Sequence, residues 1–254
     1  MPPPIILTIA GSDSSGGAGM QADLKTIAAH GCYGASAITA LTAQNTRGVA
    51  AVHVPPTKFL AAQIKSVLSD FPPDAVKIGM LPNAACVRAV AKSLKGLACP
   101  IIIDPVMVAT SGAALCRDDA VQAMREALFP MAALITPNLR EAEALTGLQI
   151  RSEADMEAAA RAIGFPVLVK GGHFESEDAN DLLYCDESPL WLRAKRLDVG
   201  ETHGTGCTLS TAIACRLALG HSLADSVKLA KHWLTWLLKE KPEFGVPNGP
   251  LMHH

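Results

Sequence analysis

The chain has 254 residues, a length that fits one large α/β domain, so we expect a single domain over residues 1–254. Its 22 Lys and Arg residues against 24 Asp and Glu residues leave a net charge of -2, which excludes a general field for attracting nucleic acid or an anionic membrane. Apolar residues make up 49% of the sequence and aromatic residues only 4%, which favours helices packed on a sheet over a β-sandwich.

Two further features concern the compartment. No apolar run approaches the roughly 20 residues that span a bilayer, and the first residues lack the charged start and apolar body of a secretion signal. The seven cysteines include no C-x-x-C pair, so neither a disulfide framework nor a zinc site is indicated. We therefore expect a cytoplasmic protein whose thiols are reduced.

Strand and helix patterns alternate along most of the chain. Ile5 to Ala10 is an apolar run typical of a buried strand, and Ala18 to His30 has helical spacing. The further strand candidates are Ala35 to Thr39, Val49 to Val54, Ala75 to Ile78, Ile101 to Ile103, Ala133 to Thr136 and Val167 to Lys170. The alternation predicts an α/β fold with a mostly parallel central sheet and helices on both faces.

The last third of the chain has a different pattern. Between Asp181 and Asp198, two short apolar runs flank the turn-forming stretch Glu187 to Pro189, which we interpret as a hairpin. Two helical patterns follow, Thr205 to Leu219 and Leu223 to Lys239, and the glycine between them acts as a stop signal.

A first glycine-rich loop, Gly11 to Gly19, follows the first strand and opens the first helix, where α/β proteins bind ligands. It matches the dinucleotide fingerprint only loosely, because no acidic residue between Asp23 and Asp70 is available for a ribose. It is not a P-loop, because Gly17 stands where that motif has lysine. The loop is either another kind of ligand loop or a tight turn, and its composition favours a ligand loop.

A second glycine loop, Thr202 to Thr208, precedes the next helical pattern. Gly204 and Gly206 leave backbone N–H groups unobstructed, and such a nest at a helix start suits a phosphate. Cys207 lies in the first turn, where the helix dipole is expected to lower the pKa of its thiol, so that it can accept a proton from a substrate hydroxyl. The alternative is a buried cysteine that packs against the core.

Polar residues follow three of the predicted strands. Asp104, Asn138, Glu141 and Lys170 come after strand candidates, and ligands of open α/β sheets bind at the carboxyl ends of strands. A carboxylate and an amide can hold Mg²⁺ through water, and a lysine can neutralise phosphate. Structural alternatives stay open for each: a helix-dipole partner, a turn former or a solvated charge.

Three other polar side chains are ambiguous. The amide of Gln44 can read a ring that presents a donor and an acceptor, or it can bond to loop backbone. His173 and His203, each beside glycines, are interpreted as loop or lid residues rather than as catalytic groups.

Taken together, these motifs resemble the hydroxymethylpyrimidine/phosphomethylpyrimidine kinases of thiamine biosynthesis, within the ribokinase-like superfamily. The matching segments occur in the family's order and are Thr8 to Asp13, Ser15 to Gly19, Gln21 to Lys25, Thr39 to Thr46, Lys77 to Leu81, Asp104 to Met107, Thr136 to Ala142, Lys170 to His173 and Thr202 to Ser210. One departure is Thr42, where related sequences often have valine.

The resemblance implies a ribokinase-like three-layer sandwich, ATP as co-substrate, a requirement for Mg²⁺ and a homodimer. The implied reaction is phosphorylation of 4-amino-5-hydroxymethyl-2-methylpyrimidine to its monophosphate, and of the monophosphate to the diphosphate. The implied roles are Gln44 as reader of the aminopyrimidine; Ala18, Asp23, Met80 and Val106 as the substrate lining; Asn138, Lys170 and Thr205 at the nucleotide; Asp104 and Glu141 at the metal; Gly204 and Gly206 as the anion hole; and Cys207 as the base.

Three alternatives remain at this point. A pyridoxal kinase of the Cys-containing ribokinase-like type shares the fold and motifs but accepts a pyridine ring, and Gln44 argues against it. A dinucleotide-dependent oxidoreductase is disfavoured by the missing acidic residue after the first glycine loop. A non-catalytic nucleotide-binding module would bind ATP without turning it over.

Overall fold

The computed structural model describes residues 2–108, 112, 115–172, 177–200, 202–242, 244, 246 and 249–253. Within them, nine strands form one sheet: β1 Ile5–Asp13, β2 Tyr33–Asn45, β3 Gly48–His53, β4 Ala75–Ile78, β5 Ile101–Ile103, β6 Leu134–Ile135, β7 Val167–Val169, β8 Asp181–Cys185 and β9 Ser188–Leu192. The α-helices are α1 Gly19–Ala29, α2 Thr57–Asp70, α3 Ala84–Leu94, α4 Asp118–Ala127, α5 Leu139–Thr146, α6 Glu153–Ile163, α7 Thr205–Ala218 and α8 Leu223–Lys239. Over these described ranges, no helix is long and apolar enough to cross a membrane.

The sheet has the order β3-β2-β1-β4-β5-β6-β7-β8-β9. The six strands from β2 to β7 in this order pair in parallel, whereas β3 at one edge and β8 and β9 at the other are antiparallel. The predicted mostly parallel sheet is therefore confirmed. The β8–β9 hairpin is also confirmed, but its two-residue turn is Asp186 and Glu187, at φ 51° and 58°, the left-handed pair that such tight turns require. Ser188 and Pro189, which the sequence places in the turn, already belong to β9.

The short central strands are buried on both faces, because successive side chains point to opposite sides of the sheet. Ile101 and Ile103 of β5 pack into one core, together with α2 to α6, and Ile102 packs into the other, with α1, α7 and α8. This explains why the central strands are continuous apolar runs. It also confirms the prediction of helices on both faces.

Two strands run further than their apolar patterns predict. β1 continues to Asp13, and β2 continues to Asn45 because its second half pairs antiparallel with β3, from Leu41 opposite His53 to Asn45 opposite Gly48. The first glycine loop therefore begins inside a strand. Gln44, which the sequence leaves in a loop, lies on a strand whose main-chain direction is fixed by its neighbours.

Candidate functional site

The two glycine loops, far apart in the sequence, are packed against each other. Gly204 is the N-cap of α7 at φ +87°, and a Cβ added to it would collide with the carbonyl oxygen of Gly17. A Cβ on Gly17 would in turn lie 2.6 Å from Cδ2 of His203. Glycine is therefore required at Gly204 by a backbone contact and by the left-handed conformation, and at Gly17 by the close approach of the His203 imidazole.

Asp13 organises the first loop. Its carboxylate accepts hydrogen bonds from the backbone N–H groups of Ser15 at 2.8 Å, Gly17 at 3.2 Å and Ala18 at 2.9 Å, and it lies 2.8 Å from Nε2 of His203. Burial alone would raise the pKa of Asp13, but the hydrogen bonds from His203 and Ser15 outweigh it and lower the pKa to about 2. These three amides are therefore occupied by a protein carboxylate, and the loop shapes the site rather than forming an anion nest.

The second glycine loop supplies the first backbone N–H groups of α7. Gly204 has no side chain to cap the helix, and the first intrahelical bond runs from Thr208 N to Gly204 O at 2.9 Å. The N–H groups of Thr205, Gly206 and Cys207 precede that bond and carry the positive end of the helix dipole. The backbone N–H groups thus lie at a helix start, as the sequence predicts, and phosphate binding there stays a prediction.

Lys170 and Asp104 converge on this helix start. Lys170 Nζ donates to Asp104 Oδ1 at 2.9 Å, and a Cβ added to Gly206 would lie 3.3 Å from that nitrogen and 3.5 Å from Asp104 Oδ2. The Lys170 side chain is 14% exposed and that of Asp104 only 3%, so the lysine is the more accessible member of this pair. Burial lowers the pKa of Lys170, but the Asp104 carboxylate more than compensates, and the lysine stays charged.

The residues after β6 form the third wall of the site. Asn138 and Glu141 make a reciprocal capping box at the start of α5, with Asn138 N donating to Glu141 Oε2 at 2.8 Å and Glu141 N donating to Asn138 Oδ1 at 2.9 Å. The backbone of Asn138 also forms an isolated parallel β-bridge with that of Lys170. Burial raises the pKa of Glu141 to about 7, which the Lys170 charge offsets only in part.

These contacts define how a divalent cation can fit. Asp104 already accepts from Lys170 and from Thr136, and Glu141 already caps a helix, so neither carboxylate is free to enclose an ion by itself. Among the described residues, no group of three or more His, Cys, Asp or Glu side chains could hold a metal. The raised pKa of Glu141 nevertheless marks a carboxylate whose charge is incompletely balanced. The two carboxylates would therefore contact a divalent cation only through water, a mode of binding that Mg²⁺ accepts.

Cys207 does not have the lowered pKa that its helix position predicts. Burial raises the pKa of its thiol to about 11; the Lys77 ammonium opposes this rise, and the Asp23 and Asp104 carboxylates reinforce it. The N–H of Gly19 also donates to the sulfur. Burial is the largest of these effects, so the position at the helix start does not by itself produce a thiolate in the ligand-free protein.

A buried ion pair lies behind the helix start. Lys77 and Asp23 are fully buried, with Lys77 Nζ 2.9 Å from both carboxylate oxygens. Thr8 and Thr211 also donate to Asp23, at 2.6 and 2.7 Å. Contrary to the sequence-based prediction, the carboxylate of Asp23 faces this internal network instead of the substrate surface. Its four hydrogen bonds join β1, β4, α1 and α7.

The other predicted substrate residues lie around the loops. Ala18 is the partly exposed N-cap of α1, and its Cα would be 3.3 Å from a Cβ on Gly204. Gln44 approaches His203 to 3.2 Å. Met80 is buried, with its sulfur 2.9 Å from where Gly11 would carry a Cβ, and partly exposed Val106 donates its N–H to the carbonyl of Asp104. The structure thus brings Ala18 and Gln44 to the junction of the loops and leaves Met80 and Val106 at adjacent strand ends.

Sequence reasoning missed three features. Asp13 and Lys77 stand in recognised motifs, but only their partners, 190 and 54 residues away, reveal their roles. The C-terminal tail is docked on the second glycine loop and α7: Pro250 forms a β-bridge with His203, and His253 Nε2 lies 3.0 Å from Thr208 Oγ1. His173 lies outside the described residues.

The chain is similar in sequence and in fold to kinases of small heterocyclic substrates. A family described as phosphomethylpyrimidine kinase matches residues 13–252. A hydroxymethylpyrimidine/phosphomethylpyrimidine kinase of Rhizobium meliloti (strain 1021) is 48% identical over 256 residues, which cover 98% of this chain and 96% of that protein. The ADP complex of Bacillus subtilis pyridoxal kinase has a TM-score of 0.90 and 36% identity, covering 98% of this chain and 97% of that one. A phosphomethylpyrimidine kinase from Clostridium difficile 630 has a TM-score of 0.81 and 43% identity, covering 92% and 98%.

Proposed function

The chain belongs to the phosphomethylpyrimidine kinase family, and from this premise we propose that it phosphorylates 4-amino-5-hydroxymethyl-2-methylpyrimidine and then the resulting monophosphate, in thiamine biosynthesis. It is a kinase with the ribokinase-like fold of its solved neighbours. One observation carries the proposal for the site: the Lys170–Asp104 pair converges on Gly206 in the first turn of α7, beside Cys207.

The nest and the lysine act on the transferring phosphoryl group of ATP. The N–H groups of Gly206 and Cys207 are preorganised donors, and the Lys170 ammonium is held next to them by Asp104, so little reorganisation is needed as charge develops. Asn138 and Thr205 border the same space and would position the nucleotide. When bound, Mg²⁺ would neutralise phosphate charge, with Asp104 and Glu141 holding its water ligands.

Cys207 is proposed as the base in the first phosphorylation only. The hydroxymethyl group must lose its proton, and the sulfur lies in the first turn beside the proposed phosphate site. In the second phosphorylation the nucleophile is a phosphate oxygen, which is already largely ionised at neutral pH because its second pKa is about 6. This step needs no base. The nest is therefore shared by both reactions, and the thiol serves one of them.

The ring is proposed to be read by Gln44, with Ala18, Met80 and Val106 as the surrounding surface. The amide of Gln44 offers a donor and an acceptor, which an aminopyrimidine matches. A pyridoxal kinase is the second candidate, because a pyridoxal kinase has the higher TM-score of the two solved structures compared. The higher sequence identities, 48% and 43%, belong to pyrimidine kinases, against 36% for the pyridoxal kinase, and they favour the pyrimidine.

The test is direct. The purified protein is incubated with Mg-ATP and, separately, the pyrimidine alcohol, its monophosphate and pyridoxal, and the phosphorylated products are identified by mass spectrometry. Product from both pyrimidines supports the proposal. Product from pyridoxal alone overturns it, and ATP binding without any product supports a non-catalytic module instead.

We also propose a cytoplasmic homodimer. All seven cysteines are free, which supports a reducing compartment. The edge strand β3 is exposed along most of its length, and Leu41 and Val52 of the β2–β3 hairpin are each 44% exposed, an apolar edge that a second copy can cover. Light scattering should give about twice the chain mass of 26.6 kDa. A monomer at micromolar concentration would contradict the dimer.

A further inference from the structure

A continuous chain of polar contacts joins the first glycine loop to the proposed ring reader. Nε2 of His203 lies 2.8 Å from Asp13 Oδ2 and 3.2 Å from the Gln44 amide. The other end of that amide lies 3.1 Å from Thr42 Oγ1, which is itself 2.9 Å from the carbonyl oxygen of Ser12. The amide of Gln44 is thus held at both ends by protein groups.

The protonation of Nε2 determines which end of the Gln44 amide faces His203. The ionised carboxylate of Asp13 only accepts, so Nε2 of His203 carries a hydrogen and donates it. A nitrogen that carries a hydrogen has no lone pair for an amide N–H. The group of Gln44 that faces His203 is therefore its carbonyl oxygen, which shares the imidazole N–H with Asp13.

The hydroxyl of Thr42 leads to the same orientation from the other side. Thr42 has one hydroxyl hydrogen, and the carbonyl of Ser12 accepts it, because a carbonyl oxygen has nothing to donate in return. The hydroxyl oxygen is then left as an acceptor, and the amide NH₂ of Gln44 is the donor that reaches it. The amide is accordingly flipped by about 180°, so that Oε1 faces His203 and Nε2 faces Thr42. The choice between the two amide orientations rests on their hydrogen-bond partners.

We propose that Thr42 and His203 are positioning residues that lock the Gln44 amide in one orientation and thereby set which ring the kinase accepts; this rests on the proposed function. With one lone pair and one N–H already used, Oε1 keeps one acceptor site and Nε2 one N–H for a substrate. This edge matches an exocyclic amine beside an unprotonated ring nitrogen. It opposes the 4-oxo analogue, which has a carbonyl beside a ring N–H.

The kinetic test compares Thr42→Val with Thr42→Ser. Valine keeps the shape and removes the hydroxyl, whereas serine keeps the hydroxyl. Thr42→Val should reduce the preference for the 4-amino alcohol over its 4-oxo analogue, measured as the ratio of kcat/KM values, by about tenfold, the factor expected for one net hydrogen bond. Thr42→Ser should keep the ratio within about threefold, and thermal melting controls for folding. An unchanged ratio in Thr42→Val overturns the lock.

A second measurement reads the lock without turnover. In protein labelled with ¹⁵N at histidine, the His203 signal is assigned by its loss in His203→Gln. Nε2 should be protonated, with a one-bond coupling to hydrogen, in the ligand-free wild type and in Thr42→Val. An unprotonated Nε2 overturns the proposal. If the wild type phosphorylates neither pyrimidine, the proposed function fails, and this measurement still decides the amide orientation.

Discussion

Replacing Cys207 by alanine or serine should separate the two phosphorylations. With a thiol pKa of about 11, forming the thiolate at pH 7.5 costs about 5 kcal/mol, from 3.5 pH units at about 1.4 kcal/mol each. A positioned base still contributes about 10²–10⁴ in rate. We therefore expect kcat/KM for the alcohol to fall by about 10²–10⁴ in both variants, and kcat/KM for the monophosphate to fall by less than about tenfold.

The pH dependence gives an independent reading of the same residue. With alcohol and ATP both well below saturation, the rate reports groups of the free enzyme, and the wild-type rate should rise about tenfold per pH unit from 7.5 to 9.5. The slope should be absent for the monophosphate and in Cys207→Ala. Equal losses in both reactions, or a flat wild-type profile, would refute the division of roles and assign Cys207 to the anion hole or to packing.

Four further predictions concern the framework of the site. Gly204→Ala should lower the free energy of unfolding by at least about 2 kcal/mol, because its methyl group meets backbone at φ +87°. Gly206→Ala should melt like the wild type yet lose activity in both phosphorylations, since its methyl group would lie 3.3 Å from Lys170 Nζ. Equal melting temperatures of Gly204→Ala and Gly206→Ala would contradict the backbone contact assigned to Gly204. Lys77→Met strands the buried carboxylate of Asp23 and should cost about 3–5 kcal/mol in urea unfolding, partly regained by adding Asp23→Asn; no regain would mean that the pair is not the cause. The pKa of Glu141 is raised to about 7 from an ordinary 4.5, so its contribution to ligand-free stability is complete below pH 4.5 and is lost as the pH rises through 7. Calorimetry over this pH range should show the free energy of unfolding of the wild type falling by about 3 kcal/mol relative to that of Glu141→Gln. Parallel pH profiles of the two proteins would contradict this prediction.

The fold follows from sequence where local pattern and tertiary structure agree. β4 and β5 have the predicted bounds, because a strand buried on both faces is an uninterrupted apolar run. α8 also begins and ends where its helical spacing predicts, after the N-cap Ser222. β2 runs longer than predicted, because Leu41 to Asn45 become a strand only by pairing with β3, a partner that their own pattern does not reveal.

Some features of the site also follow from local sequence pattern, and others depend on distant partners. The convergence of Asp104 and Lys170 was predictable because the carboxyl ends of parallel strands meet at one edge. The position of Asp23 was not, because its carboxylate is turned inward by Lys77, 54 residues away. The pKa of Cys207 was not predictable either, since burial and the charges of Lys77, Asp23 and Asp104 act on the sulfur besides the helix dipole.

The contacts that complete the site join opposite ends of the chain. Asp13 and His203 are 190 residues apart, and Asp23 and Thr211 are 188 apart. Closing such long loops is slow, so the nest should be among the last parts of the molecule to form. During synthesis, a nascent chain that has emerged only as far as β9 contains every strand of the described sheet but still lacks the amides proposed to hold phosphate. The proposed nucleotide site is therefore expected to form late in folding, when α7 packs against β1 and β4.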